Sequence, residues 1–310
     1  MKIATWNVNS IKMRLPQLLE WLKRDAPDIV LLQETKCVNE AFPAMEIEEL
    51  GYNLALHGEK TYNGVAILSK FPLEDIRRGL PGDDGDTQAR YIEAICSIPS
   101  LRGSEATAAI QNVATNWIAS SAMPPRNDEY ITIRVASVYV PNGQDVESSK
   151  FQYKLRFLDR LYAHIKTLLP YEEILAIGGD YNIAPEDADV HDPKLWQGSV
   201  LTHDEVRRRL RRILWLGMYD AFRVASGEWL VARKSSFDTL TTHHSPLATT
   251  PYTWWDYRGN AFAQDNGLRI DHLLLSPQAA DRLGGCTIEK NMRGVEKASD
   301  HTPVVTELNL

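Results

Sequence analysis

The chain has 310 residues, of which 44% are hydrophobic and 24% are charged. This composition is sufficient for a large buried core, and it excludes an intrinsically disordered chain, a collagen-like fibre and a coiled-coil rod. The formal net charge of −7 disfavours a nucleic-acid-binding protein unless its positive charge is concentrated locally, because proteins that bind nucleic acid are usually basic.

Short runs of apolar and β-branched residues predict eight strands. In chain order they cover residues 3–6, 29–33, 65–68, 91–95, 131–140, 174–177, 269–275 and 303–308. Apolar residues at helical spacing predict three helices between the strands. Their apolar stripes are Leu15, Leu18, Leu19 and Leu22 beside Pro16; Phe151, Leu155, Leu158, Tyr162, Ile165 and Leu169; and Val206, Leu210, Ile213 and Leu214. Helices interspersed with strands indicate an α/β fold in which helices cover the faces of a sheet.

Two stretches are predicted to be surface insertions. Residues 101–129 are rich in Ala, Ser, Asn and Pro, and residues 228–250 contain several Thr, Ser and His. Loops of this length are usually functional or mobile. The sequence shows no repeat, low-complexity tract or long linker, so we expect one domain over residues 1–310.

The N-terminus and the cysteines bear on the cellular compartment. Asn7 and Asn9 interrupt the stretch where a secretory signal would need unbroken apolar residues. Cys37, Cys96 and Cys286 are odd in number and form no C-x-x-C pair, which disfavours a disulfide framework and a structural zinc site. The apolar runs are far shorter than the roughly 20 residues of a membrane-spanning helix. We therefore expect a cytoplasmic protein with free thiols and no membrane association.

Acidic and amide side chains recur at the ends of the predicted strands. Two glycines, Gly178 and Gly179, precede one such group, and glycine permits a tight turn or a close approach of the backbone. Because loops at strand ends bind ligands in α/β proteins, we expect these side chains to share one site. The residues concerned are Asn7, Glu34, Asp180, Asn182, Asp300 and His301.

The oxygen atoms of this group predict a metal ion and a reaction. A cluster of Glu34, Asp300 and Asn7 suits Mg²⁺, or Mn²⁺ as a substitute, better than zinc, which prefers His and Cys. A hard divalent cation among carboxylates neutralises phosphate oxygens and lowers the pKa of a bound water. The predicted chemistry is therefore the hydrolysis of a phosphoester.

Each of these residues also has a simpler interpretation. An acid just after a strand is commonly a solvated turn or a helix cap. His301 is equally interpretable as an exposed histidine, and Tyr139 as a core aromatic before a Pro-Asn-Gly turn. Glu34 differs, because the end of an apolar strand buries its charge at a cost unless another group compensates that charge.

Eight motifs in a fixed order strengthen the functional interpretation. They are Trp6-Asn7-Val8-Asn9, Leu32-Gln33-Glu34-Thr35-Lys36, Gly64-Val65-Ala66-Ile67-Leu68, Tyr139-Val140-Pro141-Asn142-Gly143, Gly179-Asp180-Tyr181-Asn182, Thr253-Trp254-Trp255-Asp256-Tyr257-Arg258, Gly267-Leu268-Arg269-Ile270-Asp271 and Ser299-Asp300-His301. With these motifs the chain resembles, over nearly its whole length, the exonuclease III family of abasic-site endonucleases. Asp-x-Asn and Ser-Asp-His alone are typical of the wider endonuclease/exonuclease/phosphatase superfamily, whereas the Leu-Gln-Glu-Thr-Lys and Trp-x-Asp-Tyr-Arg blocks narrow the resemblance to the DNA-repair branch.

The resemblance implies a DNase I-like, four-layer α/β sandwich, in which two mixed sheets pack face to face with helices outside. It implies one active site at the top, between the two sheets. The implied metal-binding set is Asn7, Glu34, Asp180, Asn182, Asp300 and His301.

The resemblance also implies catalytic roles. Asp180 would orient or deprotonate the attacking water, and Asn182 would help to fix the phosphate. His301, paired with Asp271, would contact the scissile phosphate, which Tyr139 also binds. The sequence leaves open whether Asp180 or a protonated His301 handles the proton. Asp180 is favoured as the base, because a histidine held by an aspartate is biased towards its charged form and is better used electrostatically.

Substrate-binding residues follow from the same resemblance. Trp254, Leu268 and Ile270 would line a pocket for an extruded abasic sugar, although an interior core position is an equal alternative for the tryptophans. A sugar without its base is inexpensive to extrude, and a tight apolar pocket excludes normal nucleotides. Arg90, Arg258 and Lys36 lie beside these motifs and are predicted to meet backbone phosphates.

A run of arginines is more conspicuous but less informative. Its members, on a predicted amphipathic helix, are Arg207, Arg208, Arg209, Arg211 and Arg212. A solvated helix face is the favoured interpretation, and a DNA-binding surface is the alternative.

The implied activity is that of a magnesium-dependent hydrolase in base excision repair. Its partner is double-stranded DNA, with incision 5′ to abasic sites, 3′→5′ exonuclease activity and removal of 3′ blocking groups; their balance stays open, and no obligate protein partner is implied. One alternative is a superfamily member that cleaves a lipid or inositol phosphodiester. A second is a DNA-binding or docking module without turnover, which nothing in the sequence favours.

Overall fold

The computed structural model describes residues 1–99, 130–227 and 252–310. The two predicted insertions, 101–129 and 228–250, lie outside the described residues. In chain order the strands are β1 (Lys2–Asn7), β2 (Ile29–Gln33), β3 (Asn53–His57), β4 (Val65–Ser69), β5 (Leu73–Arg78), β6 (Tyr91–Pro99), β7 (Tyr130–Tyr139), β8 (Ile174–Asp180), β9 (Tyr219–Asp220), β10 (Asp271–Leu275), β11 (Leu283–Ile288) and β12 (Val304–Leu308).

The helices connect these strands. They are α1 (Ile11–Asp25), α2 (Ala44–Glu48), α3 (Ser149–Leu168), α4 (Pro193–Trp196), α5 (Asp204–Leu214), α6 (Ala221–Ala225) and α7 (Pro277–Ala280), with short 3-10 helices at Asn39–Ala41, Leu169–Tyr171, Asp187–Asp189 and Lys290–Arg293. Among the helices of the described residues, none has both the length and the apolar character needed to cross a membrane.

The strands form two mixed sheets of six strands each. Their orders are β11-β12-β1-β2-β4-β3 and β5-β6-β7-β8-β10-β9. In each sheet the two central strands, β1 with β2 and β7 with β8, are parallel, and the other paired neighbours are antiparallel. A parallel pair needs a crossover connection. Helix α1 provides it between β1 and β2, and α3 provides it between β7 and β8.

Alternation along the central strands divides the core into layers. Ile3 of β1 and Ile29 of β2 pack in a cluster that includes Ile92 and Ile133 of the other sheet. Their neighbours in sequence face the opposite way, and Trp6 packs with residues of α1. Helices α3 and α5 cover the outer face of the second sheet. The predicted four-layer α/β sandwich is therefore confirmed.

The sequence missed four strands, β3, β5, β9 and β11, and all four lie at the edges of the sheets. An edge strand has one unpaired side and needs less apolar character. Strand β5, for example, alternates partly buried with exposed residues and carries four charged side chains. Such a segment lacks the apolar run on which the prediction depended.

Two predicted strands end too early: the strand predicted at 91–95 continues to Pro99, and the error in the strand predicted at 174–177 bears on the site. Strand β8 continues through Gly178 and Gly179 to Asp180, so the two glycines do not form a turn. A Cβ atom at Gly178 would lie 2.7 Å from Leu31 Cδ1 of the facing sheet, and one at Gly179 would lie 1.8 Å from Val138 O. The glycines therefore permit close approach of the backbones, and they bring Asp180 to the gap between the sheets.

Candidate active site

The predicted polar residues meet at one end of both sheets. In the second sheet, Tyr139 at the end of β7 lies opposite Asp180, and Asp180 lies opposite Asp271 on β10. In the first sheet, Asn7 ends β1 beside the end of β2, which Glu34 follows. The site is thus assembled from the ends of central strands, where main-chain hydrogen bonding fixes the backbone.

Asn7 joins the two sheets. Its side-chain amide donates hydrogen bonds of 2.9 Å to Glu34 Oε1 and of 2.9 Å to Asp180 Oδ2. Its side chain is fully buried, so these bonds are shielded from solvent. A carboxamide that donates to two carboxylates from different sheets fixes the spacing between them.

Glu34 is held as an anion. Burial disfavours its charge, but the Lys36 ammonium, 2.7 Å from Glu34 Oε2, and the Asn7 amide lower the pKa of the Glu34 carboxyl. Its backbone adopts φ 54°, a left-handed conformation that is costly for a residue other than glycine and that clusters at functional sites. Glu34 therefore has the compensation that its position after an apolar strand requires.

Asp180 lies in the opposite electrostatic situation. It is 1% exposed, and burial raises the pKa of its carboxyl; nearby His301 lowers that pKa, and the charges of Asp271 and Glu34 raise it further. Asp180 Oδ1 accepts a 2.8 Å hydrogen bond from the backbone N–H of Asn182. A buried carboxylate among other acids is poised to take up a proton.

His301 lies between two aspartates. Its Nδ1 is 2.9 Å from Asp271 Oδ2, and its Nε2 is 3.8 Å from Asp180 Oδ2. Burial opposes a charge on the ring, but the carboxylates of Asp271 and Asp180 outweigh burial and raise the pKa of His301. The pairing of His301 with Asp271 that the resemblance implied is present in the geometry.

Asn182 completes the second-sheet side of the site. Its side-chain amide donates to Val140 O at 3.0 Å and to Asp180 Oδ2 at 3.2 Å, and its Oδ1 accepts from Asn142 at 2.9 Å. It too has a left-handed backbone, with φ 51°. The chain therefore turns here, after Asp180, and of the two alternatives for Gly178 and Gly179 the close approach is the one that the structure shows.

Asp300 links the acidic group to the aromatic residues. Its Oδ1 accepts a 2.8 Å hydrogen bond from Asn9 Nδ2, and its Oδ2 accepts a 3.0 Å bond from the Trp254 indole. Asn9 also accepts a hydrogen bond from Lys36, the residue that is paired with Glu34. Asp300 and Glu34 are thus joined through Lys36 and Asn9.

The predicted pocket residues form an apolar cluster beside Asp300. Leu268 and Ile270 are buried in it, and Trp254 is half-buried against them. Trp254 forms isolated β-bridges with Leu268 and with His301, so the pocket residues are tied to the acidic group by main-chain pairing. Trp255, the second tryptophan of the motif, is fully buried in a separate cluster, as the alternative core interpretation anticipated for one of the pair.

The predicted phosphate-binding residues lie in different environments. The Arg90 guanidinium lies 4.7 Å from the centre of the Tyr139 ring, at the edge of the site, as does Lys36 beside Glu34. Arg258, by contrast, has a 93% exposed side chain and an ion pair with Asp256 at 4.0 Å. Burial raises the pKa of Tyr139, and the charges of Glu34 and Asp180 add to this effect.

The arginine run is occupied by ion pairs. Each of the five arginines pairs with an acidic residue: Arg207 with Asp187, Arg208 with Glu205, Arg209 with Glu205 and Asp159, Arg211 with Glu186, and Arg212 with Asp159. Guanidinium groups already neutralised by the protein have little charge to offer to DNA. The geometry therefore favours the interpretation of a solvated helix face.

The buried polar residues that pack beneath the site, between the two sheets, were not predicted from the sequence. Gln33 Nε2 donates to Thr5 Oγ1 at 3.0 Å and to Ser137 Oγ at 2.9 Å, and all three side chains are fully buried between the sheets. Their signal was a polar residue at an inward position of a buried strand. Lys154 of α3 was not predicted either. Its buried ammonium donates to the backbone carbonyls of Asn142, Asn182 and Val200.

The donor atoms fit a hard divalent cation. Within residues 1–99, 130–227 and 252–310, one group of three His, Cys, Asp or Glu side chains, Asp180, Asp271 and His301, has ligand atoms within 4.8 Å of one another. Asp271 was predicted as the partner of His301, not as a ligand. Asn7 directs its amide nitrogen to Glu34 and Asp180, and its Oδ1 accepts from the backbone N–H of Asn9 at 3.0 Å. Glu34 and Asp300 lie outside this group of three. Oxygen donors dominate this set, which is typical of Mg²⁺ or Mn²⁺ sites.

Comparisons with known proteins identify the family of the chain. The model of the endonuclease/exonuclease/phosphatase family matches residues 4–301. The chain is 30% identical to exodeoxyribonuclease III of Haemophilus influenzae, over 99% of both chains. It is 32% identical to a 3′ phosphatase from Neisseria solved with a product DNA hairpin, with a TM-score of 0.80 and complete coverage of both chains. It is also 32% identical to an AP endonuclease from Archaeoglobus fulgidus, with a TM-score of 0.79 and complete coverage of both.

Proposed function

Because the chain belongs to the endonuclease/exonuclease/phosphatase family, we propose that its site hydrolyses phosphodiester bonds of duplex DNA. The protein is a DNA-repair nuclease of the exodeoxyribonuclease III type. Its three activities are incision 5′ to abasic sites, 3′→5′ exonuclease activity and removal of 3′ blocking groups, and it acts in base excision repair. The chain is one such domain over residues 1–310.

One observation carries the proposal: Asn7 from one sheet donates hydrogen bonds to both Glu34 and Asp180, at 2.9 Å each. This contact brings acids from different sheets into one buried group. Asp180 has one cationic partner, His301 at 3.8 Å, but burial and the negative charges of Asp271 and Glu34 still raise the pKa of its carboxyl. Such an arrangement costs stability and is typical of a catalytic site.

The roles of the side chains follow from their charges. Asp180, with its raised pKa, takes the proton from the attacking water, because a general base works best when its pKa lies near the operating pH. His301, kept protonated by Asp271, donates to a non-bridging oxygen of the scissile phosphate and stabilises the charge that develops there. Asn182 and Tyr139 bind and orient the same phosphate.

The assigned cofactor is Mg²⁺, with Mn²⁺ as a substitute. Glu34, Asn7 and Asp300 would hold it, with Asp180, Asn182 and His301 beside them. When bound, the cation neutralises phosphate charge and lowers the pKa of a water molecule. The Lys36 ammonium, 2.7 Å from Glu34, compensates part of the acidic charge when no cation is present.

DNA binding on an acidic protein requires a local positive surface. Arg90, stacked on Tyr139 at the edge of the site, and Lys36 supply positive charge beside the reacting phosphate, and Arg258 extends this surface outward. Trp254, Leu268 and Ile270 form the walls against which an extruded abasic sugar packs. We place the protein in the cytoplasm, since Cys37, Cys96 and Cys286 are all unpaired.

The proposed function is tested with a labelled duplex that contains one abasic site. Wild-type protein with Mg²⁺ should cut immediately 5′ to the lesion and leave a 3′-hydroxyl, and EDTA should abolish the cut. Asp180→Asn should bind the same duplex without cutting it. Cleavage that persists in EDTA would refute the metal assignment, and cleavage 3′ to the lesion would refute the proposed reaction.

A further inference from the structure

Trp196, the last residue of α4, has no role in the proposed function as described so far. Its indole packs edge to face against the ring of Trp254, with ring centres 6.1 Å apart and planes at 87°. It belongs to the same apolar cluster as Leu268 and Ile270. The connection after β8 therefore contributes a large aromatic surface to the pocket, in addition to the segments that carry Trp254 and Leu268.

The indole N–H of Trp196 is buried and has no acceptor among the residues that the structure describes. Buried tryptophan N–H groups usually find a partner, because an unpaired buried donor destabilises the folded state. The N–H of the neighbouring Trp254 illustrates the rule, since it donates to Asp300 at 3.0 Å. Trp196 thus keeps a hydrogen-bond donor in reserve next to the proposed sugar pocket.

The backbone holds this side chain firmly in place. The backbone N–H of Trp196 donates to Asp192 O at 3.2 Å. The backbone carbonyl of Trp196 accepts from Ser199 N at 3.1 Å and from the Thr202 hydroxyl. Asp192 in turn caps α4 through Lys194 N at 3.0 Å. These hydrogen bonds fix the backbone of the connection at Trp196. The indole N–H, which has no acceptor among the described residues, is therefore held in a fixed position where a substrate can contact it.

We propose that Trp196 is a specificity-determining residue of this nuclease: its ring closes the sugar pocket beside Trp254, and its N–H donates to an oxygen of the extruded deoxyribose. The inference rests on the proposed function. An abasic sugar has two oxygens free for such a bond, the ring oxygen and the C1′ hydroxyl. A nucleotide that keeps its base lacks the hydroxyl and is too large for the closed pocket.

The donor is tested with Trp196→Phe, which keeps a six-membered aromatic ring and removes the five-membered ring that carries the N–H. On a natural abasic site, kcat/KM should fall about five-fold, the usual effect of losing one neutral hydrogen bond, while the removal of intact 3′ nucleotides is not slowed. Exonuclease activity separates the two explanations, because a merely structural loss of packing would slow both reactions. The matched control is Trp215→Phe, at a tryptophan that is 76% exposed, and it should leave kcat/KM unchanged.

A tetrahydrofuran analogue, which has the ring oxygen but no C1′ hydroxyl, identifies the acceptor. A five-fold loss on the natural site alone would assign the bond to the hydroxyl, and an equal loss on both substrates would assign it to the ring oxygen. Wild-type rates of Trp196→Phe on both substrates would overturn the donor assignment.

The closing of the pocket is tested with Trp196→Ala. Removing the ring should raise the rate of removal of intact 3′ nucleotides relative to abasic incision, by about ten-fold for a pocket wall of this size. An unchanged ratio would overturn the specificity role. A wild-type protein that fails to cut abasic DNA would instead refute the proposed function, and this inference with it, so the two failures are distinguishable.

Discussion

Two buried carboxylates in the same sheet, Asp180 at the end of β8 and Glu93 in β6, have opposite surroundings. Glu93 Oε2 accepts from the Tyr91 hydroxyl at 2.6 Å and lies 2.7 Å from His164 Nε2, and Glu93 Oε1 lies 3.3 Å from Arg77. Burial raises the pKa of its carboxyl, but its partners outweigh burial and lower that pKa. Burial also raises the pKa of the Asp180 carboxyl, and there the single cationic neighbour, His301, does not outweigh burial and the charges of Asp271 and Glu34.

The difference distinguishes a structural acid from a chemical one. Each group is 1% exposed, so burial alone does not separate them. Glu93 has hydrogen-bond donors and cations around it, so its charge stabilises the fold. Asp180 keeps its charge beside Asp271 and Glu34, so neutralising it relieves repulsion, and the fold retains the carboxylate at a cost in stability because the reaction needs it.

The largest expected effect comes from Asp180→Asn. Removing the proton acceptor should lower the single-turnover cleavage rate of an abasic duplex by about 10⁴-fold, as for other essential catalytic residues. The melting temperature should equal or exceed that of the wild type, because a repelled charge is lost. A variant that is both active and less stable would place Asp180 in the same class as Glu93.

A smaller loss is expected for Asp271→Asn. The amide keeps a contact to His301 Nδ1 but no longer favours the protonated ring, so the phosphate loses electrostatic stabilisation. We expect kcat to fall about 100-fold, the usual effect of one such interaction, with little change in KM. A change confined to KM would show that Asp271 acts in binding and not in the chemical step.

Glu93→Gln should lower the stability of the fold and leave cleavage nearly unchanged, the reverse of Asp180→Asn. The amide removes the anion that Arg77 and Arg134 face, so unfolding should require about 1–3 kcal/mol less free energy. The cleavage rate should stay within about two-fold of the wild type. Thermal unfolding and single-turnover assays on the same preparation measure both quantities, and a large loss of activity at full stability would undo the distinction.

The pH dependence of stability should separate the same variant from the wild type. Because the pKa of Glu93 is lower in the folded protein, its stabilising contribution is fully present above its unfolded value of 4.5 and is lost as the pH falls through the folded value. The difference in unfolding free energy between wild type and Glu93→Gln should therefore shrink below about pH 4.5. Denaturant titrations at several pH values would detect it, and a constant difference would be inconsistent with a lowered pKa.

Two arginines that stack on tyrosines provide the smallest expected effects. Arg90 lies 4.7 Å from the Tyr139 ring at the site, and Arg212 lies 4.5 Å from the Tyr162 ring on α5 and α3. Arg90→Gln should reduce the salt dependence of DNA affinity by about one phosphate contact. Arg212→Gln should leave it unchanged, because Arg212 is paired with Asp159. Equal effects would return the arginine run to the list of DNA-binding surfaces.

The sequence predicted the centre of this molecule better than its margins. Strands inside a sheet, such as β2 and β4, are buried on both faces, so their apolar runs mark them directly. The edge strands β5 and β11 bury only some of their residues, and their mixed sequences gave no run. The strand ends of the site were found for the same reason as the central strands, since the acids stand out against apolar neighbours.

What the sequence did not reveal depends on contacts between distant residues. Gln33 meets Ser137 across 104 positions, and Lys154 meets Asn182 across 28; neither residue has a local pattern that marks its partner. The same holds for Glu93 with His164. A polar residue at an inward strand position announces that a partner exists, but only the packed sheets identify that partner.

Asn7 and Asp180 come from different sheets, and we expect them to act together in catalysis through their hydrogen bond. Single-turnover cleavage of an abasic duplex by Asn7→Ala, Asp180→Asn and the double variant tests it directly. If Asn7 acts by holding Asp180, the double variant should lose less than the product of the two single losses, because coupled residues are not additive. A double variant whose loss equals the product of the two single losses would show that the residues act independently and would contradict the account.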